Sequence, residues 1–295
     1  MKVLNYGSLN IDHVYQVPHF LRPGETMDSS AYSRNAGGKG LNQAIALARA
    51  GQDTAFAGAI GQDGLFLRDT LMEAGVDTSH VQVLDTATGH AVIQVEATGA
   101  NAILLFGGAN HSITRQMAAE ILSTFSPGDC VLMQNEISCG KEILQLAKEK
   151  GLRVALNPSP VSQALHQWPL ETTDWLILNE VEGEDLTGMS QPQDMLDELN
   201  RRLPHTAIVL TLGESGAFYR DGHQQLHQPA IPVKAVDTTA AGDTFTGYFL
   251  ASVLAGKDPA CALRIAAHAA AIAVTRPGAG ASIPMRTEVK GRTAQ

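Results

Sequence analysis

Seven residues, Asp237-Thr238-Thr239-Ala240-Ala241-Gly242-Asp243, end on an acid and lead into an apolar run, Tyr248 to Leu254, that reads as a helix. Small residues let a backbone turn tightly and approach a ligand. The unpaired N–H groups of a first helical turn, at the positive end of the helix dipole, suit a phosphoryl group. A carboxylate repels phosphate, yet it is the right group to take a proton from a hydroxyl about to attack one. The alternative is that Asp243 only caps its helix, a common use of Asp. A second glycine-rich helix start, Gly37-Gly38-Lys39-Gly40, runs into Leu41-Asn42-Gln43-Ala44-Ile45 and is stopped by Gly51. It departs from the phosphate-loop pattern, because Lys39 is followed by Gly40 and not by Ser or Thr. Its glycines could bring backbone and Asn42 up to a small polyol, or form no more than a tight turn. Gly278-Ala279-Gly280 lacks the strand, the helix and the third glycine of a dinucleotide fingerprint, which argues against an oxidoreductase.

Other polar residues fall just after short apolar runs. Asn10 and Asp12 follow Val3-Leu4-Asn5-Tyr6-Gly7 and point to one side if the chain stays extended; both suit hydroxyl partners, and both are also ordinary turn formers. Glu136 follows Cys130-Val131-Leu132-Met133-Gln134 in the same way. Asn179 and Glu182 follow Trp175-Leu176-Ile177-Leu178 and share a face if a helix begins there, where they could hold Mg²⁺ through water or simply cap the helix.

The elements that must position these groups alternate. Strands are expected at 130–134, 153–156, 175–178 and 207–211, with a helix over 141–150 closed by Gly151 and helical patterns between the others. Continuous apolar strands separated by helices indicate a doubly wound α/β fold whose ligands collect beyond the strands' C-terminal ends. Two segments break the rhythm, 12–33 and 88–106. The second reads as a hairpin around Thr98-Gly99-Ala100-Asn101, so a small antiparallel appendage, a lid candidate, is expected beside the main sheet. Residues 286–295 are polar and aperiodic and read as a frayed tail. At 295 residues, 44% apolar and 17% charged, the composition is that of a folded globular protein, and a net charge of −9 argues against a nucleic-acid or acidic-membrane partner. Cys130, Cys139 and Cys261 lack zinc-site spacing and are expected as reduced thiols. The N-terminus does not read as a signal peptide, and no apolar run approaches the ~20 residues of a membrane span, so a cytoplasmic location is expected.

In order and spacing, Gly7-Ser8-Leu9-Asn10-Ile11-Asp12, Gly37-Gly38-Lys39-Gly40-Leu41-Asn42-Gln43-Ala44, Asn157-Pro158-Ser159-Pro160, Asn179-Glu180-Val181-Glu182, Thr211-Leu212-Gly213 and the segment 237–243 resemble the ribokinase-like (PfkB) carbohydrate kinases over nearly the whole chain. The resemblance implies a single kinase domain over 1–295: a three-layer, doubly wound, mostly parallel sheet with a small β-sheet lid from about 12–34 and 88–107. It implies ATP-dependent phosphorylation of D-ribose at O5. Asp243 matches the catalytic base, and the N–H groups of Ala240, Ala241, Gly242 and Asp243 match an anion hole. Asn10, Asp12, Gly38, Lys39, Asn42 and Glu136 match the positions around the sugar, Lys39 without needing its ammonium group. Ala91 and Ile93 match apolar lid residues that a partner in a homodimer contributes. Asn179, Thr211, Gly213, Gly216, Ala241, Gly242 and His268 match the nucleotide region, with Glu182 on Mg²⁺ through water. Asp237, Thr239, Ala273, Arg276, Gly278 and Ser282 match a loop that holds potassium. The chain departs from the family at Ala240, where glycine is commoner, at Ala267 beside His268, where a polar residue often meets adenine, and in its tail, which lacks the expected apolar helix. A kinase of another sugar or of a nucleoside, and a sugar sensor without catalysis, are the competing readings.

Overall fold

The structure is a computed structural model and describes residues 1–293. The chain opens with strand β1 (Val3–Tyr6), then leaves the main sheet for β2 (Asn10–Val17) and β3 (Ala31–Gly37) before helix α1 (Lys39–Arg49). Strand β4 (Thr54–Ile60), α2 (Leu65–Glu73) and β5 (Asp77–Val83) follow, and the chain departs again for β6 (Gly89–Glu96) and β7 (Asn101–Phe106). From there helices and strands mostly alternate, with β9 and β10 joined without an α-helix and two helices before β11: α3 (Arg115–Ser123), β8 (Cys130–Gln134), α4 (Gly140–Glu149), β9 (Arg153–Asn157), β10 (Trp175–Asn179), α5 (Glu180–Thr187), α6 (Pro192–Arg202) and β11 (Ala207–Thr211). The antiparallel pair β12 (Ala217–Arg220) and β13 (Gln225–Gln228) precedes α7 (Ala241–Leu254), α8 (Pro259–Ala273) and α9 (Arg286–Thr293).

Nine strands form one sheet in the order β13-β12-β11-β10-β9-β8-β1-β4-β5, parallel from β11 to β5. The apolar strands belong here because helices cover both faces, and successive residues feed opposite cores. In β8, Cys130 and Leu132 pack with α1, α7 and α8, whereas Val131 and Met133 pack with α3, α4 and α6. The resulting three-layer α/β architecture carries a second, four-stranded sheet in the order β3-β2-β6-β7. Strand order in the large sheet turns back at β1, with β4 and β5 on one side and β8 to β11 on the other. That switch point opens a crevice beyond the ends of β1 and β8.

Two expectations are corrected. The small sheet is not wholly antiparallel: β2 pairs with β6 in parallel, because the chain returns to it through a long crossover, and only β2–β3 and β6–β7 are antiparallel. Residues 286–293 form a helix and not a frayed tail. Val289 is only 2% exposed and joins the core beneath α8, and Glu288 pairs with Arg276, so one apolar anchor and one ion pair dock a segment whose pattern is otherwise polar. Ala294 and Gln295 lie outside the described residues. Cys130, Cys139 and Cys261 are free thiols, and no helix among the described residues is long and apolar enough to cross a membrane.

Candidate active site

Helices α1 and α7 cross closely because Gly247 has no side chain: a Cβ there would sit 2.9 Å from Leu47 N and overlap Ala46. One turn earlier on each helix the crossing brings Asn42 and Gln43 against Asp243. Asn42 Nδ2 donates to Asp243 Oδ2 at 3.0 Å, and Gln43 Nε2 donates to Oδ1 at 2.9 Å. Asp243 is therefore not a helix cap. The N-cap of α7 is Ala240, which makes no side-chain cap bond and has φ +59°, a left-handed conformation that alanine rarely adopts. Ala241 N–H turns to Thr238 O at 3.2 Å. The N–H groups of Gly242 and Asp243 have no intrahelical acceptor by position, and the space over Gly242 is open.

The switch point assembles a second polar cluster. Gly40 passes close to the end of β1, where a Cβ would lie 2.6 Å from Ser8 O, so the start of α1 presses onto residues 7–10. Ser8 Oγ donates to Glu136 Oε2 at 2.5 Å, and Lys39 N–H donates to the same oxygen at 3.2 Å. Asn110 Nδ2 donates to Asn10 Oδ1 at 2.8 Å. Asp12 pairs with Asn35 on β3 and with Ala91 on β6, its carboxylate packs against Gly37, and Ile93 is opposite Val14. The parallel register thus puts Ala91, 2% exposed, next to the chain's own Asp12, and no partner is needed to bring it there. Burial pushes the Asp12 carboxyl up to about 6, and the Glu136 charge adds to the shift. Burial likewise holds Glu136 above the ordinary carboxylate range, against the pull of Lys39. Asn42 Oδ1 is buried without a hydrogen-bond partner.

A cleft of about 240 Å³ runs from Asp243 and Gly242 past Lys39 and Asn157 to Asn179, Glu182 and Thr211. Lys39 lines this cleft, and its ammonium feels three carboxylates. Burial works to lower its pKa, but Asp243, Glu136 and Glu182 outweigh burial and hold the ammonium above its ordinary value. Glu182 forms a capping box on α5, accepting from Asn179 N at 3.0 Å and from Asn179 Nδ2 at 3.2 Å, while Asn179 Oδ1 accepts from Glu182 N at 2.9 Å. Gly213 and Gly216 shape the turn between β11 and β12 with φ of +53° and +94°, and neither they nor His268 on α8 line this cleft. A larger cavity of about 300 Å³, at the far end of α7 among Tyr248, Lys257, Arg264 and Arg286, contains none of the predicted residues.

Asp237 ties two loops together beside α7, its oxygens accepting from Thr239 N–H and Gly278 N–H at 2.9 Å each. Burial would raise its pKa, and these bonds hold it below the ordinary value. Ser282 Oγ donates to Ala279 O at 2.8 Å, and the Arg276 side chain is turned away to Glu288, which leaves Arg276 only its backbone to offer a cation. The donors gathered here are oxygens, the kind a hard cation takes. Among the described residues no three His, Cys, Asp or Glu side chains gather to hold a metal. The residues that sequence reasoning left without roles are Ser8, Gln43, Asn110 and Gln134. Gln43 and Gln134 carry one signal, a polar residue in or at the end of an apolar run; Ser8 and Asn110 stand in mixed, glycine-containing stretches and carry none.

A family profile described as pfkB family carbohydrate kinase matches residues 1–286. The chain is 39% identical over 292 residues to a protein named ribokinase from Haemophilus influenzae, covering 96% of this chain and 95% of that one. A ribokinase from Cryptococcus neoformans in complex with ADP superposes with a TM-score of 0.87 at 35% identity, covering 99% of each chain. An Arabidopsis thaliana ribokinase complexed with ribose and ATP gives 0.83 at 29% identity, covering 98% of this chain and 97% of that one.

Proposed function

The chain belongs to the pfkB family of carbohydrate kinases and is a sugar kinase, and from that premise we propose that it transfers the γ-phosphoryl of ATP to O5 of D-ribose with Asp243 as the base. One observation carries the reading. Asp243 stands in the first turn of a helix with no side-chain cap, and its carboxylate, held on both oxygens by amide donors, borders a cleft shared with Lys39. The O5 proton passes to Asp243 as the O5–Pγ bond forms and the bond from Pγ to the β-phosphate oxygen breaks. ADP and the sugar phosphate leave, and the carboxylic acid returns its proton to water. The N–H groups of Gly242 and Asp243, with the Lys39 ammonium, meet the charge on the transferring phosphoryl group. Ribose and ATP are supported by the names of the relatives.

Asn10, Asp12, Asn42 and Glu136, with the backbone at Gly38, take the sugar hydroxyls. Two half-buried carboxylates with raised pKa values and an unpartnered Asn42 Oδ1 favour a ligand rich in O–H donors, which would offset their desolvation. Ala91 and Ile93 offer the sugar an apolar face, and the small sheet, over about 12–34 and 88–107 of a single kinase domain, acts as the lid that keeps water from competing. Asn179, Thr211, Gly213, Gly216 and His268 lie on the nucleotide side. Glu182 would hold Mg²⁺ through water, and the loops of Asp237, Thr239, Ala273, Arg276, Gly278 and Ser282 would hold potassium; when bound, these cations would supply positive charge against the phosphates. On β7, the edge strand of the lid, Ile103, Leu104, Leu105 and Phe106 are each more than half exposed, and a second copy of the chain covers them. Sedimentation of Leu104→Lys against the parent tests this: a parent that is already monomeric removes the dimer.

The deciding experiment is ADP release with Mg-ATP over ribose, 2-deoxyribose, hexoses and nucleosides, with potassium or with a bulky organic cation. Potassium-dependent turnover on ribose is expected. Turnover confined to another acceptor replaces the substrate, and none on any acceptor removes the reading.

A further inference from the structure

Gln43, the second donor to Asp243, is the first link of a chain of buried amides. Gln43 Nε2 donates to Asp243 Oδ1 at 2.9 Å and to Asn157 Oδ1 at 3.0 Å. Gln134 Nε2 donates to Gln43 Oε1 at 2.6 Å and to Asn5 Oδ1 at 2.9 Å. At the ends, Asn157 Nδ2 donates to Ile177 O at 2.8 Å and Asn5 Nδ2 to Gly40 O at 2.5 Å. Asn5, Gln43 and Gln134 have no exposed surface, and Asn157 is 9% exposed. A cluster of this size inside a core is costly unless its bonds are made.

The direction of every amide in the chain is forced. Backbone carbonyls only accept, so Ile177 O and Gly40 O compel Asn157 and Asn5 to present their NH₂ groups. Their side-chain oxygens must then accept, which turns the NH₂ groups of Gln43 and Gln134 toward them. With its oxygen taken by Gln134, Gln43 has one remaining N–H, and it points at Asp243. Turning Gln43 over would set its oxygen against two acceptors. Asn42, the donor on the other oxygen of Asp243, is not held in this way, because its own Oδ1 has no partner. When a proton arrives on Asp243 Oδ2, the Asn42 amide can rotate and accept it. Gln43 cannot.

We propose that Gln43 is a positioning residue for the base, and that the amide chain behind it, through Gln134, Asn5 and Asn157, directs the hydroxyl proton to Oδ2 of Asp243. This rests on Asp243 being the base. Lys39 on α1 and Glu182 on α5 share the cleft with Asp243, and Glu136 after β8 accepts from the Lys39 N–H. Only the relay distinguishes its two oxygens.

The test uses Gln43→Met, which keeps length and loses the donor, and Gln134→Met, which cuts the next link and leaves Gln43 in place. Each is made in the full chain and again in an Asp243→Asn background, with the active fraction counted by ADP binding and residual turnover followed with γ-labelled ATP. A misoriented base costs up to about 100-fold in rate. We expect kcat to fall ~30- to 100-fold in Gln43→Met and ~3- to 10-fold in Gln134→Met, with sugar and ATP KM within about threefold. In the Asp243→Asn background neither change should lower the residual rate further, since groups that act as one unit are not additive. An equal loss in both backgrounds means a structural role and overturns the proposal, as does a kcat within twofold of the parent in both variants. Parent-like turnover in Asp243→Asn alone overturns the base assignment beneath it. Should Gln43→Met fail to fold, Gln134→Met decides the matter by the same comparison of backgrounds.

Discussion

Helices α5 and α7 both begin beside the same cleft and both carry an acid at the third helical position, yet the two acids do opposite things. Glu182 reaches back to the Asn179 N–H and closes its own helix start, so the first turn of α5 is satisfied internally. Asp243 turns away to Asn42 and Gln43 on α1 and leaves the first turn of α7 open behind a left-handed Ala240. The difference lies in what stands before the acid. An Asn at the N-cap gives α5 a partner for a capping box, while an alanine gives α7 none. A closed start holds the fold together, and an open one offers N–H groups to an anion, at a cost of about 1 kcal/mol in backbone strain.

Changing the open start should cost the most. Asp243→Asn removes the proposed general base, a group whose usual worth is about 10²–10⁴ in rate, so kcat measured by ADP release should fall by that much, with sugar KM moving less than about threefold. A loss confined to KM would make Asp243 a binding group and dissolve the contrast with Glu182.

A third carboxylate extends the comparison, because Asp12 stands on a strand with no helix dipole to help it. It titrates near 6 in the folded chain against 3.8 for the ordinary group, so between those values the folded state holds more protons than the unfolded one. Stability therefore falls as pH rises through that window. Asp12→Asn should raise ribose KM ~10- to 100-fold, the worth of a hydrogen bond to a charged group. The same variant should melt higher than the parent at pH 7.5, with the gap closing toward pH 4. A variant that melts lower at pH 7.5 would mean that Asp12 is held by bonds stronger than its desolvation. The smallest effect belongs to the closed start. Gln can still make the capping box, so Glu182→Gln should change stability by less than ~0.5 kcal/mol while lowering kcat/KM for Mg-ATP about three- to tenfold. Unaltered kinetics would leave Glu182 a purely structural acid.

Much of this was legible in the chain, for reasons that differ by region. Strands β8 and β11 are runs of Val, Leu, Ile and Met, and their expected bounds match the observed ones. β4 escaped because Thr-Ala-Phe-Ala-Gly-Ala-Ile is small and weakly β-forming, and it is held by burial between β1 and β5. α9 escaped because a single buried valine gives no period. At the site, Asn10, Asp12, Glu136 and Asp243 were visible as polar groups at the ends of elements. Gln43, Gln134 and Asn5 were not, since an amide in an apolar run looks like a flaw until its partner is seen. Lys39 was read through its glycine neighbours, and the three carboxylates that act on its ammonium came only with the fold.

The Asn42–Asp243 bond joins residues 201 positions apart. A ribosome adding roughly 5–20 residues per second completes α1 some 10–40 seconds before α7 exists. For that interval the amides of Asn42 and Gln43 lack the Asp243 carboxylate, and no nascent chain that stops short of α7 holds both halves of the cluster. The amide clasp on Asp243 is accordingly a late, all-or-none feature that reports the docking of α7 on α1.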